Sequence, residues 1–417
     1  MPRRPEALLA ALALALLLSA CGTPPAPTPA GPPPSSPRVT PSAPAAPGAQ
    51  DAQGASDTPA AAPATPASDT PLMPATPLAE AGVRWLRAEF ADLPGWASDR
   101  ALQLWPALLR GCARPAPLWR ELCARAALES PADDAAARRF LQTWLRPWQL
   151  QTADGRSEGL ATGYFEPELD AVRQRREGFE VALHAPPADL ATRRPHFSRQ
   201  ELDTLPAAQA TLAGRELAWI NDPVDLLLLQ IQGSGRLRLI EPDGRITPLR
   251  VAFAGHNAQP YRSPGRWLVE QGELRVDSVS WGTIRAWAIK FPQRLPELMW
   301  SNPRVVYFRL EPLPDPQQGP RGAQGVPLTP MRSVAIDPRA VPYGSPMWIS
   351  TTDPLANAPL QRLVMAQDTG GAILGAVRID LFTGWGDDAL VLASRLKQPL
   401  RAWVLWPRTA APPRQSP

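Results

Sequence analysis

The chain has 417 residues, and its 43 basic against 39 acidic side chains leave a net charge of +4. That length suggests about two domains. The arginines are dispersed, with no Lys/Arg block suited to tracking a nucleic-acid backbone, so no nucleic-acid partner is expected.

The first twenty residues read as a secretory signal. Arg3 and Arg4 supply the positive end, and Leu8 to Leu18 is an apolar run too short to span a bilayer. Cys21 follows Leu18-Ser19-Ala20, which resembles the lipobox of bacterial lipoproteins. That likeness implies cleavage before Cys21 and acylation of its thiol and new amino group. Gly22, and no Asp, comes next, which points to a lipid anchor in the outer membrane facing the periplasm. Residues 21–77 are rich in Pro, Ala, Thr and Ser and nearly uncharged. Such a composition buries too little apolar surface to offset its ordering entropy, so a disordered tether is expected. Extended as polyproline II it would reach on the order of 150 Å, enough for a protein that acts on a large, immobile substrate.

About 340 residues remain. From Leu78 to Leu150 apolar residues recur three and four apart. Val83, Trp85, Leu86 and Phe90 do so first, then Trp105, Leu108 and Leu109, then Leu118, Leu122 and Ala126, then Phe140, Leu141 and Trp144. This predicts a four-helix N-terminal part, the last helix opening at Asp133-Asp134 and ending at Pro147. Cys112 and Cys123 are too far apart for a metal pair in a chain with three His. In the oxidising periplasm they are expected to be bridged.

After Asp154-Gly155 the pattern turns to strands. Leu160–Glu166, Glu177–Leu183, Leu226–Gln232, Arg236–Ile240, Arg245–Phe253 and Arg304–Leu310 alternate or are apolar, and Gly or Pro marks the turns between them. One helix is expected over Gly282–Phe291. Pro312–Pro320 reads as a linker. Strands resume at Arg332–Ile336, Pro346–Ile349, Arg362–Asp368, Val377–Phe382 and Trp403–Trp406, with no helix expected between them. Short strands joined by turns favour a closed barrel, which leaves no unpaired edge. The expected class is α+β, mainly β with an N-terminal helical part. G-x-G-x-x-G, Walker A, H-E-x-x-H and C-x-x-C are absent, which argues against nucleotide and zinc chemistry.

The stretch from Met365 to Ala389 holds the best candidates for chemistry. Asp368 precedes Thr369-Gly370-Gly371, and Asp380 lies between Ile379 and Leu381. An acid so placed is a candidate for burial and a raised pKa. By itself the pattern also fits an Asp that caps a turn.

Five motifs in order resemble the membrane-bound lytic murein transglycosylase A family. They are Thr162-Gly-Tyr-Phe-Glu-Pro167, Gln230-Ile-Gln-Gly-Ser-Gly-Arg236, Gly255-His-Asn257 with Tyr261-Arg-Ser263, Ser333-Val-Ala-Ile-Asp337, and Ala366 through Gly386. The resemblance implies a double-psi β-barrel catalytic domain (78–167 plus 313–410), a smaller inserted β-barrel domain (168–312) walling the substrate groove, and a disordered tail (411–417). It implies cleavage of the MurNAc–GlcNAc bond of peptidoglycan without water, leaving a 1,6-anhydro-MurNAc end, with no metal and no cofactor. Asp380 takes the place of the acid/base and Asp368 a supporting one. Asp337 reads as structural. Thr162, Tyr164, Gln232, Ser234 and Arg262 are the implied substrate-binding residues. Partners implied are the glycan strands and, through Cys21, a membrane. Enzymes of this kind also work with cell-wall synthases, for which no residue here speaks. Three rival readings stand beside this one: a water-using hydrolase with an Asp368/Asp380 pair, a non-catalytic peptidoglycan-binding lipoprotein, and a Mg²⁺ or Ca²⁺ site on the three aspartates.

Overall fold

The computed structural model describes residues 82–411 and Pro413. The signal, Cys21 and the Pro/Ala-rich stretch lie outside the described residues, as does the rest of the expected tail. Among the described residues no helix is long and apolar enough to cross a membrane.

The chain begins with strand β1 (Val83–Arg87), where a helix was expected. Val83 and Trp85 are buried while Arg84 and Leu86 are exposed, so the period is two. The helical spacing of Leu86 and Phe90 is coincidental. Helices α1 (Trp105–Gly111), α2 (Arg120–Ala126) and α3 (Asp134–Trp144) follow. Asp133 caps α3 by accepting from the Ala136 amide at 2.7 Å. That helix ends at Trp144, before Pro147, which lies within strand β2 (Leu145–Thr152). Cys112 and Cys123 are joined by a disulfide with Cα atoms 5.2 Å apart. Strand β3 is Gly159–Glu166.

The middle of the chain carries β4 (Glu168–Ala171), β5 (Val181–His184), α4 (Arg199–Thr204), α5 (Pro206–Gln209), β6 (Glu216–Ile220), α6 (Pro223–Gln232), β7 (Gly235–Ile240), β8 (Ile246–His256), α7 (Pro264–Glu270), α8 (Trp281–Lys290), α9 (Leu295–Trp300) and β9 (Val306–Pro312). The expected strand Leu226–Gln232 is helix α6. Its boundaries were in the sequence: Asp222 caps it, Pro223 stands in its first turn, and Gly233 ends it at φ 85°. A run of four leucines hid the helical period, because a helix buried on several sides needs no polar face. Strands β4-β7-β8-β9 form one sheet and β5-β6 a second, linked by a bridge from Val172 to Trp219. Both enclose Leu183, Ile220, Leu229, Leu237, Val251 and Phe308.

The last third holds β10 (Ser333–Ala335), β11 (Pro346–Asp353), β12 (Ala358–Asp368), β13 (Arg378–Trp385), α10 (Gly386–Arg395) and β14 (Lys397–Pro407). Helix α10 was not expected between the last two strands. It packs on β3 where Gly163 leaves room, since a Cβ there would lie 2.8 Å from the Ala393 Cα. Strands β14-β11-β12-β10-β13-β3 are hydrogen-bonded in that order, and β3 pairs back to β14. Six strands thus close a barrel, with β2 and β1 extending from β14.

The barrel strands and the N-terminal helices share one core that includes Trp119, Trp348, Trp403, Leu363 and Leu381. Polar contacts also bind the helical part to the barrel. Arg332 pairs with Asp99 at 3.0 Å with both side chains buried, and Gln367 donates to the Ala107 carbonyl at 2.9 Å. Buried polar contacts of this kind fix one arrangement of the helices on the barrel.

Candidate active site

Strand register assembles the site. Asp380 on β13 lies opposite Thr162 on β3 and opposite Ala335 on β10, and Ala335 lies opposite Asp368 on β12. Residues opposite one another on a sheet project from the same face. Asp368, Asp380 and Thr162 therefore form one row across four strands. Ile379 and Leu381, the neighbours of Asp380, point the other way into the core.

The two acids differ in what holds them. Thr162 Oγ1 donates to Asp380 Oδ1 at 2.6 Å. No hydrogen bond among the described residues reaches Asp380 Oδ2, so that oxygen is open to a ligand. Asp368 is held on both oxygens: Tyr164 Oη donates to Oδ2 at 2.7 Å, and the Ala323 amide donates to Oδ1 at 2.9 Å. Tyr164 in turn packs on Phe382, ring centres 5.4 Å apart.

Both carboxyls are pushed above the ordinary range. Loss of water raises Asp380 to about 6, aided by the nearby Asp368 charge and opposed by the Thr162 hydrogen bond and Arg378. Burial also raises Asp368, against the hydrogen bonds from Tyr164 and the Thr369 and Ala323 amides. Asp337 behaves differently. Burial would raise it, but Arg339 and the amides of Gly375 and Arg339 outweigh that and hold it below the usual value. Its Oδ2 accepts from Arg339 Nη2 at 2.7 Å and from the Gly375 amide at 2.8 Å. These bonds lock the loop before β13. Among the described residues no three His, Cys, Asp or Glu side chains converge as a metal ion requires.

Of the implied substrate-binding residues, Thr162 and Tyr164 join the aspartates directly. Gln232, at the end of α6, uses its Oε1 to accept from the Phe165 amide at 3.0 Å, which ties that helix to β3. Ser234 follows it, half-buried. Arg262 is exposed in the loop after β8, where its backbone amide donates to Asn302 Oδ1 at 3.2 Å. No contact among the described residues joins it to the aspartates. Asn257 is fully buried and spends its amide on the Phe197 and Pro303 carbonyls.

Residue-by-residue reading missed one cluster. Glu166, at the end of β3, is fully buried and accepts from Arg236 Nε at 2.9 Å and Arg250 Nε at 2.7 Å. The Arg236 guanidinium lies 3.7 Å over the Trp385 ring and donates to the Pro316 carbonyl at 2.6 Å. Glu166 and Arg236 stand inside quoted motifs, but their partnership spans 70 positions and has no local signal.

Residues 160–309 match the model of the MltA specific insert domain, and residues 332–406 that of the 3D domain. The membrane-bound lytic murein transglycosylase A of Escherichia coli K12 is 30% identical over 282 residues, covering 64% of this chain and 71% of that protein. The crystal structure of MltA from Neisseria gonorrhoeae is 30% identical with a TM-score of 0.69, covering 83% of this chain and 98% of that one. The lytic transglycosylase LtgG of Burkholderia pseudomallei is 43% identical with a TM-score of 0.56, covering 78% and 96%.

Proposed function

The chain belongs to the membrane-bound lytic murein transglycosylase A family, and from that premise we propose that it cleaves the MurNAc–GlcNAc bond of peptidoglycan with Asp380 as acid and then base. One observation carries the assignment. Asp380 is held near neutrality by burial, fixed through one oxygen by Thr162, and open at the other.

The protonated Asp380 donates its proton to the glycosidic oxygen as the bond to MurNAc C1 breaks. The substrate's N-acetyl oxygen stabilises the positive charge at C1. The MurNAc C6 hydroxyl then attacks C1 while the Asp380 carboxylate takes its proton. A 1,6-anhydro ring forms, GlcNAc leaves with a free 4-hydroxyl, and Asp380 is protonated again. Water is not consumed. A group that serves as acid and then base works best with a pKa near the working pH. Asp368 is the weaker candidate for a second catalytic carboxylate, because both its oxygens are occupied. It acts here by holding the Tyr164 hydroxyl beside the reacting bond.

The barrel is read as the double-psi type, a reading supported by its two parallel pairings, β10 with β12 and β13 with β3. Residues 78–167 and 313–410 are read as one discontinuous catalytic domain and 168–312 as its insert. The separate cores of the barrel and of the middle strands support that division. The signal-like leader and the lipobox-like Cys21 support reading the protein as an outer-membrane lipoprotein that acts on glycan strands in the periplasm. Mass spectrometry of the fragments released from purified sacculi tests the function. Anhydro-MurNAc ends are expected, and reducing MurNAc ends would mean a hydrolase instead.

The pH dependence follows from the direction of the shift. The acid form starts the reaction, so kcat/KM should be level below about pH 6 and fall about tenfold per unit above it. An acid–base pair would produce a bell. A profile on soluble glycan strands that stays flat from pH 5 to 8 would remove Asp380 from this role.

A further inference from the structure

Arg378 stands two residues before Asp380 on β13, so the two side chains leave the same face of the strand, with Cα atoms about 7 Å apart. Ile379 between them points into the core. The register sets Arg378 opposite Leu160 and Asp380 opposite Thr162. Arg378 Nη1 donates to the Leu160 carbonyl at 3.4 Å and to the Ile379 carbonyl. The second of these belongs to the peptide bond that leads into Asp380, so the guanidinium leans along the strand toward the acid. We propose that Arg378 is a positioning residue for the reaction: it holds a fixed positive charge beside Asp380 and stabilises the carboxylate left when the proton passes to the glycosidic oxygen. The inference rests on the function proposed above and adds one residue to it.

The surroundings leave Arg378 as the main cation acting on Asp380. The guanidinium is half-buried and spends its hydrogen bonds on carbonyls, which carry no counter-charge. Among the described residues neither Arg378 nor Asp380 makes a direct ion pair, so the two act on one another without contact. Three other titratable groups share the face. Asp368 on β12 pushes the other way, as a like charge. Tyr164 on β3 is held well above its ordinary range by burial and by Asp368, and stays neutral. Lys397 on β14 lies opposite Thr162 but is exposed, where water and salt screen its charge.

Separation suits the chemistry. A guanidinium in contact would hold Asp380 as a carboxylate and leave it no proton to give. Burial alone would hold the proton too tightly. A cation at intermediate range offsets part of the burial and keeps the group able to serve both halves of the reaction. In the first half the O–H bond of Asp380 breaks, its electron pair stays on the carboxylate, and the proton goes to the glycosidic oxygen. Arg378 lowers the free energy of that carboxylate without taking or giving a proton. In the second half the carboxylate takes the proton of the C6 hydroxyl, and the charge beside Arg378 disappears again.

The test compares pH profiles of kcat/KM on soluble glycan strands for the wild type and for Arg378→Gln, Arg378→Met and Arg378→Lys. Gln keeps a donor for the carbonyls but loses the charge, so the pH at which the rate starts to fall should move up by about one unit. The level rate below it should drop about two- to fourfold, since a weaker acid gives up its proton less readily. Met loses charge and carbonyl contacts together and should move the break as far as Gln does. Lys keeps the charge and should leave the break near that of the wild type. KM should stay within about twofold throughout, because Arg378 acts through Asp380. A loss of folded protein would lower the rate alike at every pH and leave the break in place, so the profile separates a role in charge from a role in the fold. A break that stays put in Gln and Met overturns the inference, and so does a Lys variant that shifts as far as Gln. A rise in KM with an unmoved break also overturns it, because Arg378 would then hold the substrate. A wild-type profile without a break would overturn the assignment of Asp380 itself, whereas a normal wild-type break that no variant moves overturns the role of Arg378 alone.

Discussion

Replacing Asp380 with Asn should lower kcat by at least about 10³-fold and, at pH 7.5, raise the melting temperature. The rate loss follows from the role. General acid–base catalysis contributes about 10²–10⁴-fold, and here a single carboxyl supplies both halves. Asn has no proton to give and no charge to take one back. It still accepts the Thr162 hydrogen bond, so the geometry of the row survives. The stability gain follows from the raised pKa. An unfolded Asp ionises near pH 3.9, whereas the folded carboxyl does so at about 6. Above pH 6 both states carry the charge, and the folded state holds it away from water at a cost. Between about pH 6 and 4 the folded state keeps a proton that the unfolded state has lost, so wild-type stability rises as the pH falls. The amide escapes that cost at all pH values. Discounted for partial exposure, its advantage is on the order of 1–2 kcal/mol above pH 6 and vanishes toward pH 4. Thermal melts at pH 7.5 and 4.5, beside turnover on sacculi, check both halves. Near-normal turnover would sink the catalytic assignment, and a lower melting temperature at pH 7.5 would show that Asn disturbs the fold.

Glu166→Ala should cost about 3–5 kcal/mol of stability, because it leaves two buried guanidinium groups with no counter-charge, only carbonyls and, for Arg236, the Trp385 ring. Glu166 ends β3 just before the chain leaves the barrel. Arg236 and Arg250 lie on the strands it leaves for, and both also donate to the Gln318 carbonyl where the chain returns. The triad thus ties the exit and return of the chain together and holds the middle sheet beside the barrel. At roughly 2 °C per kcal/mol for a chain of this size, the melting temperature should fall by about 6–10 °C. Activity on glycan should fall with it even below the melting range, since β3, which carries Thr162 and Tyr164, loses its anchor. The triple replacement Glu166→Leu/Arg236→Met/Arg250→Leu separates charge from contact. Removing all three charges is expected to recover most of the stability. If Glu166→Ala melts within 2 °C of the wild type, the triad is not holding the junction.

Much of the architecture was readable because its signals are local. Turn glycines, alternating strands and the Asp133 cap each depend on a few adjacent residues. The errors came where two periods compete over a short window. Val83–Arg87 carries apolar residues at both helical and strand spacing, and pairing with β2 decided for strand. Pro223–Gln232 is apolar nearly throughout, and its end signals outranked its composition. Helix α10 was overlooked because it begins among the glycines of the candidate stretch, where turns were expected.

The amino-acid sequence by itself determined the mainly β character of the fold, its family resemblance, and the two aspartates worth testing. Those properties reside in composition and in motifs a few residues long. The tertiary structure alone decided how the two acids differ. Thr162 lies 218 positions from Asp380, and Tyr164 lies 204 from Asp368. Strand register brings each pair together and leaves one oxygen of Asp380 open while it occupies both of Asp368. No local pattern encodes that difference, because it arises when the barrel closes and water is excluded from one face of the row.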